Sequence, residues 1–156
     1  MSHPLDALEV HLRDVLPQLS GPWVMGRGRY EAPFAQIIGA TLAPHRYWDC
    51  IWNDLYLELK LGNIWLDLVR YSEKLLQVND GARRPVITLF LQYREVRITE
   101  IYAVEDQQLL KALQLTKESA QDLLRIHREV PRSLNAQASL APADVEAIAT
   151  FTIGVV

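Results

Sequence analysis

The fold of this protein is decided around residues 47–60, which read YWDCIWNDLYLELK. Asn53-Asp54 lies between two apolar stretches and is typical of a two-residue turn, so the segment predicts a β-hairpin. With that turn, Asp49 lies directly opposite Glu58. Directly opposed side chains share one face of a sheet, with Cβ atoms about 4.5–5.5 Å apart. The hairpin therefore brings two carboxylates together.

Lys60 belongs to the same predicted cluster. Strand side chains alternate between faces, so Glu58 and Lys60 point the same way. Two opposed carboxylates repel each other unless a cation lies between them. Two carboxylates beside an ammonium suit a divalent metal and a phosphate. Asp54 is a weaker candidate, because it is a turn residue about 13 Å along the strand from Glu58.

Composition places the chain among ordinary globular proteins. It has 156 residues, of which 49% are hydrophobic and 22% charged, as expected for one domain with a substantial core. No apolar run reaches the ~18 residues of a membrane helix, and the N-terminus lacks signal-peptide features. Cys50 is the single cysteine, so a reducing, cytoplasmic location fits. It alternates away from Asp49 and is predicted to be buried.

The net charge of −3 argues against a surface coated in basic residues for binding nucleic acid. A local basic cleft remains compatible with that charge. Arg27 and Arg29, before the second helix, could contact phosphates or base edges, and a mobile surface loop is an equal alternative. For Arg83 and Arg84 we favour solvated loop charges over DNA contacts.

The tryptophans and one histidine also have two interpretations. Trp48, Trp52 and Trp65 could stack on bases, but core packing is the preferred interpretation. His127 lies on a polar helix and is predicted to be a surface residue.

Hydrophobic spacing predicts one α/β domain with a mixed central sheet flanked by helices. The predicted order is α-α-β-β-α-β-β-α, with a tail that has a short helix and a last strand. The helices are expected over 4–16, from Pro33 to Pro44, after an N-cap at Asn63, over 105–113, over 117–128 and from Pro142. The strands are expected in the 47–60 hairpin, over 86–91 and 96–104, joined by Tyr93-Arg94-Glu95, and over 151–156.

A short acidic-x-Lys triplet occurs by chance about once in two chains of this composition, so its hairpin context carries the weight. In that context the segment resembles the catalytic core of the PD-(D/E)XK nuclease superfamily, and of its type II restriction endonucleases in particular. The stretch 86–105 also resembles the core hairpin of those enzymes, with a Tyr-Arg connection leading into Ile-x-Glu-x-Ile-Tyr. The resemblance covers about residues 30–114.

This resemblance implies a restriction-endonuclease-like domain that hydrolyses double-stranded DNA with Mg²⁺. Asp49 and Glu58 would hold the metal with the Leu59 carbonyl, and Lys60 would act on the attacking water. Glu31 is the nearest equivalent of an acidic residue that precedes the catalytic hairpin, although it is also a favourable anion at a helix N-terminus. Some of these enzymes read bases with adjacent histidines. The four histidines here stand apart, so the recognition sequence stays open.

The resemblance also implies a homodimer, because double-strand cleavage needs two active sites and a chain this short supplies one. Residues 1–46 would then serve dimerisation and DNA approach, 47–104 the catalytic sheet, and 105–156 the C-terminal helices and tail. Two alternatives stay open. One is a non-specific, repair or junction nuclease of the same superfamily, and the other is a catalytically silent domain that binds DNA or protein.

Overall fold

A mixed β-sheet forms the centre of the protein. The computed structural model describes residues 4–26, 29–43, 48–62, 65–78, 84–129 and 137–154. Within these ranges, six strands form the sheet in the order β1-β2-β3-β5-β6-β8, and β3 and β5 are its one parallel pair. The strands are β1 (Thr41–Leu42), β2 (Cys50–Trp52), β3 (Leu55–Leu61), β4 (Trp65–Asp67), β5 (Val86–Arg94), β6 (Arg97–Glu105), β7 (Gln137–Ser139) and β8 (Phe151–Ile153).

Helices cover both faces of this sheet. They are α1 (Pro4–Val15), α2 (Glu31–Ile38), α3 (Leu68–Leu76), α4 (Asp106–Ala112), α5 (Lys117–Glu129) and α6 (Pro142–Ile148). Two short 3₁₀ helices, Leu16–Gln18 and Pro22–Met25, lie between α1 and α2. The prediction of a single α/β domain with a mixed sheet is therefore confirmed. No helix within the described ranges is long and apolar enough to cross a membrane.

The predicted hairpin is confirmed together with its register. Cys50 pairs with Leu57 and Trp52 pairs with Leu55, so Asn53 and Asp54 form the turn. Asn53 adopts a left-handed conformation with φ of 50°, which asparagine tolerates better than most residues.

The odd-numbered side chains of β3 pack against α1 and α2. In α1 four apolar residues at helical spacing face the sheet and are buried: Leu5, Leu8, Leu12 and Val15. They share a core with Leu57, Leu59 and the fully buried Cys50, as predicted for the cysteine. Burying each large aliphatic side chain contributes about 1.5–3 kcal/mol.

The opposite face of the sheet packs against α3, α4 and α6. Tyr71 of α3, Leu109 of α4 and Val145 of α6 are buried there with Tyr56 and other residues of the sheet. The even-numbered residues of β3 point to this side. Glu58 and Lys60 therefore lie on the face that α3 covers.

The second helix was predicted too long. It ends at Ile38, because Gly39 takes a left-handed conformation (φ 74°) and its N–H caps the carbonyls of Ala35 and Gln36. Thr41 and Leu42, which we predicted as helix, form β1 instead. Pro44, the predicted end, lies outside the described residues.

The third helix was predicted to begin too early. Trp65–Asp67 is a strand that pairs with β7, and the helix begins at Leu68. Its N-cap is Asp67, whose Oδ1 accepts from the N–H groups of Val69 (2.9 Å) and Arg70 (3.4 Å). Asn63, the predicted cap, lies outside the described residues.

The strands predicted over 86–91 and 96–104 are confirmed as β5 and β6, but their connection is shorter than expected. Tyr93 and Arg94 continue β5, and only Glu95 and Val96 form the turn. The predicted C-terminal helices and the last strand are also present as α4, α5, α6 and β8.

Candidate active site

Asp49 lies just before β2 and binds the backbone of β3 at two points. Its N–H donates to the carbonyl of Leu57 over 3.0 Å. Its side-chain Oδ2 accepts from the N–H of Leu59 over 2.7 Å. The carboxylate thus takes the place of a strand partner just beyond the last β2–β3 pair, which fixes its position against Glu58.

Glu58 occupies the middle of β3 and is hydrogen-bonded through its side chain to Asp49. Burial raises the pKa of Glu58 well above its usual value of 4.5, and the hydrogen bond and the negative charge of Asp49 raise it further. The nearby Lys60 opposes this increase. The hairpin therefore brings the two carboxyl groups together, and the raised pKa means that Glu58 gives up its proton less readily than a free glutamate does.

Lys60 lies two residues after Glu58 on the same strand face. Its positive charge lowers the pKa of both Glu58 and Glu31. The ammonium therefore lies within electrostatic reach of a carboxylate from the hairpin and of one from α2.

Glu31 is the first residue of α2 and lies beside this cluster. Burial raises the pKa of the Glu31 carboxyl, its own backbone N–H lowers it, and the charge of Asp49 raises it. The backbone contact is the one expected of an anion at a helix N-terminus. The interaction with Asp49 and Lys60 is the one expected of a member of the site. Both interpretations of Glu31 thus have support.

Tyr30, which the sequence did not identify as a site residue, connects α2 to β3. Its hydroxyl donates to the carbonyl of Leu59 over 3.1 Å and accepts from the N–H of Leu61 over 3.4 Å. Burial raises the pKa of Tyr30 to about 12, with further contributions from Glu31, Asp49 and Glu58. Its position directly before Glu31 was the one available signal.

Tyr71 and Thr88 lie beside Glu58, and the sequence did not identify them as site residues either. Thr88 pairs with Glu58 in the parallel β3–β5 register, and its Oγ1 lies 2.7 Å from the Tyr71 hydroxyl. Burial, followed by the charge of Glu58, raises the pKa of Tyr71 well above its usual value. No local sequence pattern marks either residue, because α3 and β5 meet β3 only in the folded chain.

The predicted DNA-binding arginines lie in different parts of the protein. Arg29 is exposed just before α2, whereas Arg27 and Arg83 lie outside the described residues. Arg84 is exposed, and its guanidinium carbon lies 5.5 Å from the centre of the Tyr56 ring. Tyr56 is near the start of β3, so Arg84 lies toward the opposite end of that strand from Lys60.

The prediction that the tryptophans pack in the core is partly confirmed. Trp48 is buried against Tyr71, and Trp52 is half-buried and stacks on His11 at 5.2 Å between ring centres. Trp65 was predicted to pack in the core but is 53% exposed, because the segment that holds it is a strand of the small β4–β7 sheet.

Asp54 is exposed in the turn, and His127 is half-buried on α5.

The available ligands for a metal are oxygens. Among the described residues, no group of three or more His, Cys, Asp or Glu side chains is placed to hold a metal ion. Asp49 and Glu58 form a pair, and the Leu59 carbonyl retains a lone pair beside its bond from Tyr30. Magnesium prefers oxygen ligands and keeps several waters, so one or two carboxylates suffice. The donor set fits Mg²⁺ and does not fit zinc, which is bound mostly by nitrogen and sulfur.

Comparisons with protein-family models, with curated proteins and with solved structures find no match to this chain. The chemistry of the cluster is therefore the basis for a function.

Proposed function

We propose that this protein is a Mg²⁺-dependent deoxyribonuclease that hydrolyses phosphodiester bonds of double-stranded DNA at a short specific site, as type II restriction endonucleases do. The observation that supports it best is the hydrogen-bonded pair of Asp49 and Glu58, with Lys60 on the same strand face. Apposed acidic groups are unfavourable unless a cation or a proton neutralises them. Such an arrangement is more typical of a functional site than of a solvated surface.

Each residue of the cluster has a distinct role in this proposal. Asp49 and Glu58 would hold Mg²⁺, with the Leu59 carbonyl as a further oxygen ligand. When bound, Mg²⁺ would polarise a phosphate and lower the pKa of a water. Lys60 would orient the attacking water and stabilise negative charge that develops on the phosphate. Glu31 would interact with Lys60 or with a water on the side of the site formed by α2.

DNA is a polyanion, so it can approach this site only if the surface around the site carries enough positive charge. The net charge of −3 means that basic residues must be concentrated near the cleft rather than spread over the surface. Arg29 is exposed and lies two residues before Glu31, the first residue of α2. We propose that Arg27 and Arg29 contact the DNA backbone there, with Arg83 and Arg84 as weaker candidates.

The decisive experiment is incubation of the purified protein with phage DNA and Mg²⁺, followed by gel electrophoresis. Discrete bands are expected, because a restriction enzyme cuts at a defined sequence. A smear would instead indicate a non-specific nuclease of the same chemistry. DNA that stays intact over a range of Mg²⁺ and Mn²⁺ concentrations would refute the nuclease proposal and favour a catalytically silent binding domain.

A matched pair of variants connects any cleavage to the cluster. Asp49→Asn keeps the oxygen that accepts from Leu59 but removes the charge that would hold a cation, so cleavage should be abolished. Asp54→Asn changes an exposed carboxylate of the same hairpin, and cleavage should continue. Undiminished cleavage by Asp49→Asn would place the activity elsewhere, for example in a contaminant, and equal loss in both variants would mean that the effect is not specific to the cluster.

A further inference from the structure

Strand β3 has hydrogen-bonding groups on two edges, and the pairing differs between them. The even-numbered positions face β5, as the bonds from Tyr56 N–H to the Pro85 carbonyl and from Gly62 N–H to the Leu91 carbonyl show. The odd-numbered positions face β2. Pairing with β2 ends at Cys50 and Leu57, four residues before β3 itself ends at Leu61.

The backbone groups of Leu59 and Leu61 on the β2 edge therefore need partners from elsewhere. Asp49 Oδ2 accepts from the Leu59 N–H, and the hydroxyl of Tyr30 binds both the Leu59 carbonyl and the Leu61 N–H. A phenol can donate one hydrogen bond and accept others, so one side chain serves both groups. Tyr30 thus replaces a missing strand along the two residues that flank Lys60.

We propose that Tyr30 is a positioning residue that holds the Leu59-Lys60-Leu61 backbone and thereby aims the Lys60 side chain at the carboxylate pair. The proposal rests on the proposed nuclease function for its catalytic consequence, but not for the hydrogen bonds themselves. On the other edge, Lys60 is already held by its pairing with Phe90 in β5. With Tyr30 in place, both edges of this segment are fixed.

The same contact also couples Lys60 to α2. Tyr30 directly precedes Glu31, the first residue of that helix, and Glu31 interacts electrostatically with both Asp49 and Lys60. The hydroxyl therefore fixes the distance between the start of α2 and the end of β3. Its loss should disturb the placement of Lys60 and Glu31 together, while the hairpin pairs of β2 and β3 remain.

Amide hydrogen exchange in the Tyr30→Phe variant tests the hydrogen bonds without reference to any activity. Exchange at Leu61 should increase roughly 3- to 10-fold, as expected for the loss of one ordinary hydrogen bond. Exchange at Leu59 should change little, because its N–H is bonded to Asp49. An unchanged Leu61, or an equal increase at all core amides, would overturn the proposal.

The control for this variant is Tyr102→Phe. The Tyr102 hydroxyl is hydrogen-bonded to Glu100 at 2.5 Å, so this change also removes one tyrosine hydroxyl and its bond, but on β6. It should leave exchange at Leu61 at the wild-type rate. Faster exchange at Leu61 in both variants would count against a specific role for Tyr30.

Kinetics test the catalytic consequence. In Tyr30→Phe, the single-turnover cleavage rate should fall about 10-fold or more, while DNA affinity measured in Ca²⁺ stays at the wild-type value. A wild-type rate, or a loss confined to affinity, would overturn the role in aiming Lys60. If the wild-type protein cleaves no DNA, the proposed function fails, and the exchange measurement alone decides whether Tyr30 holds the strand.

Discussion

Among single residues, Asp49 has two functions that a substitution must separate. Its carboxylate faces Glu58, and the same carboxylate accepts a hydrogen bond from the Leu59 N–H at 2.7 Å. The sequence predicts only the first function, and from that function alone Asp49→Ala would relieve repulsion and stabilise the metal-free protein. The second function reverses that effect, because alanine would leave the N–H of buried Leu59 without its partner, at a cost of about 1–3 kcal/mol.

Glu58 is the better position at which to measure the cost of holding a charge in this buried site, to which burial contributes most and the charge of Asp49 adds. Because the pKa of Glu58 is raised in the folded protein, its contribution to stability is fully present below its unfolded value of 4.5 and is lost as the pH rises through the folded value. Glu58→Gln cannot ionise, so it avoids this loss of stability. Its side-chain amide can still donate a hydrogen bond to Asp49. The metal-free variant should therefore melt above the wild type at neutral pH, by about 2–4 °C for each kcal/mol relieved.

The pH dependence distinguishes this cause from a general effect of the substitution. The difference in melting temperature between Glu58→Gln and wild type should shrink toward pH 4, where the wild-type carboxyl is protonated. Asp54→Asn, in the exposed turn, should show no such trend. A constant difference at all pH values would mean that the pKa of Glu58 is not raised in the folded protein.

Lys60 should matter for turnover far more than for DNA binding, because its proposed role is in the transition state. Lys60→Ala should reduce the cleavage rate by about 100- to 1,000-fold or more. A loss of about this size is typical when one group that stabilises developing charge is removed. Specific DNA binding should persist in Ca²⁺, a weaker Lewis acid than Mg²⁺ that is expected to occupy the carboxylate pair without supporting cleavage.

The control for Lys60 is Lys111→Ala, which removes an exposed lysine of α4. It lowers the net charge by the same amount and should leave the cleavage rate unchanged. If Lys60→Ala cleaves as fast as the parent protein, the acidic-x-Lys triplet was a chance match.

The sequence could predict the central residues of the site because they belong to one hairpin. Register follows from turn length, so the approach of Asp49 to Glu58 is local information. Tyr30, Tyr71 and Thr88 reach the same place from α2, α3 and β5. Their positions depend on how those elements pack, which no spacing in the sequence encodes.

At the level of secondary structure, the errors have the same physical origin. The long apolar strands β5 and β6 were predictable, because a continuous apolar run indicates a strand covered on both faces. Strand β4 was not, because its partner β7 lies 70 residues later, and Trp65–Asp67 carries no alternation of its own. Strand β1 was not predicted either. Gly39, just before it, is the kind of residue that commonly ends a helix, and it could have indicated that Thr41 and Leu42 are not helical.

Strand β8 is followed by a glycine at a point where the fold leaves no room for a Cβ. Gly154, directly after β8, has φ of 80°, and a Cβ there would lie 2.0 Å from the backbone carbonyl oxygen of Thr99. Gly154→Ala should therefore lower the free energy of unfolding by roughly 2–4 kcal/mol, through strain and overlap with backbone that cannot yield. Chemical denaturation of both proteins measures the difference.

Gly39→Ala is the matched control. Gly39 also has a left-handed backbone, with φ of 74°, but a Cβ there would meet nothing within 4 Å. This variant should lose only the conformational term of about 1–2 kcal/mol. Equal losses at the two positions would show that β8 is not held against β6 at this point.

For the molecule as a whole, the packing of α1 and α2 limits where a dimer interface can lie. The sequence pointed to an interface on the first two helices. In the structure the apolar sides of α1 and α2 pack into the protein's own core, and Val10 is a large apolar residue that α1 leaves exposed, at 61%. An interface on these helices would therefore use their outer, mainly polar sides, and DNA would have to help hold the two copies together.

We predict a two-fold homodimer whose two Asp49–Glu58–Lys60 clusters face one cleft, with Arg27 and Arg29 near its walls. Each chain contributes one cluster, and cutting both strands of a palindromic site needs two. Sedimentation at micromolar concentration, with Ca²⁺ and with or without a specific duplex, measures the assembly. The sedimenting species is expected to contain two 17.8 kDa chains, at least when it also contains the DNA duplex. A single chain in both conditions would eliminate the dimer, and cleavage would then proceed by nicking one strand at a time.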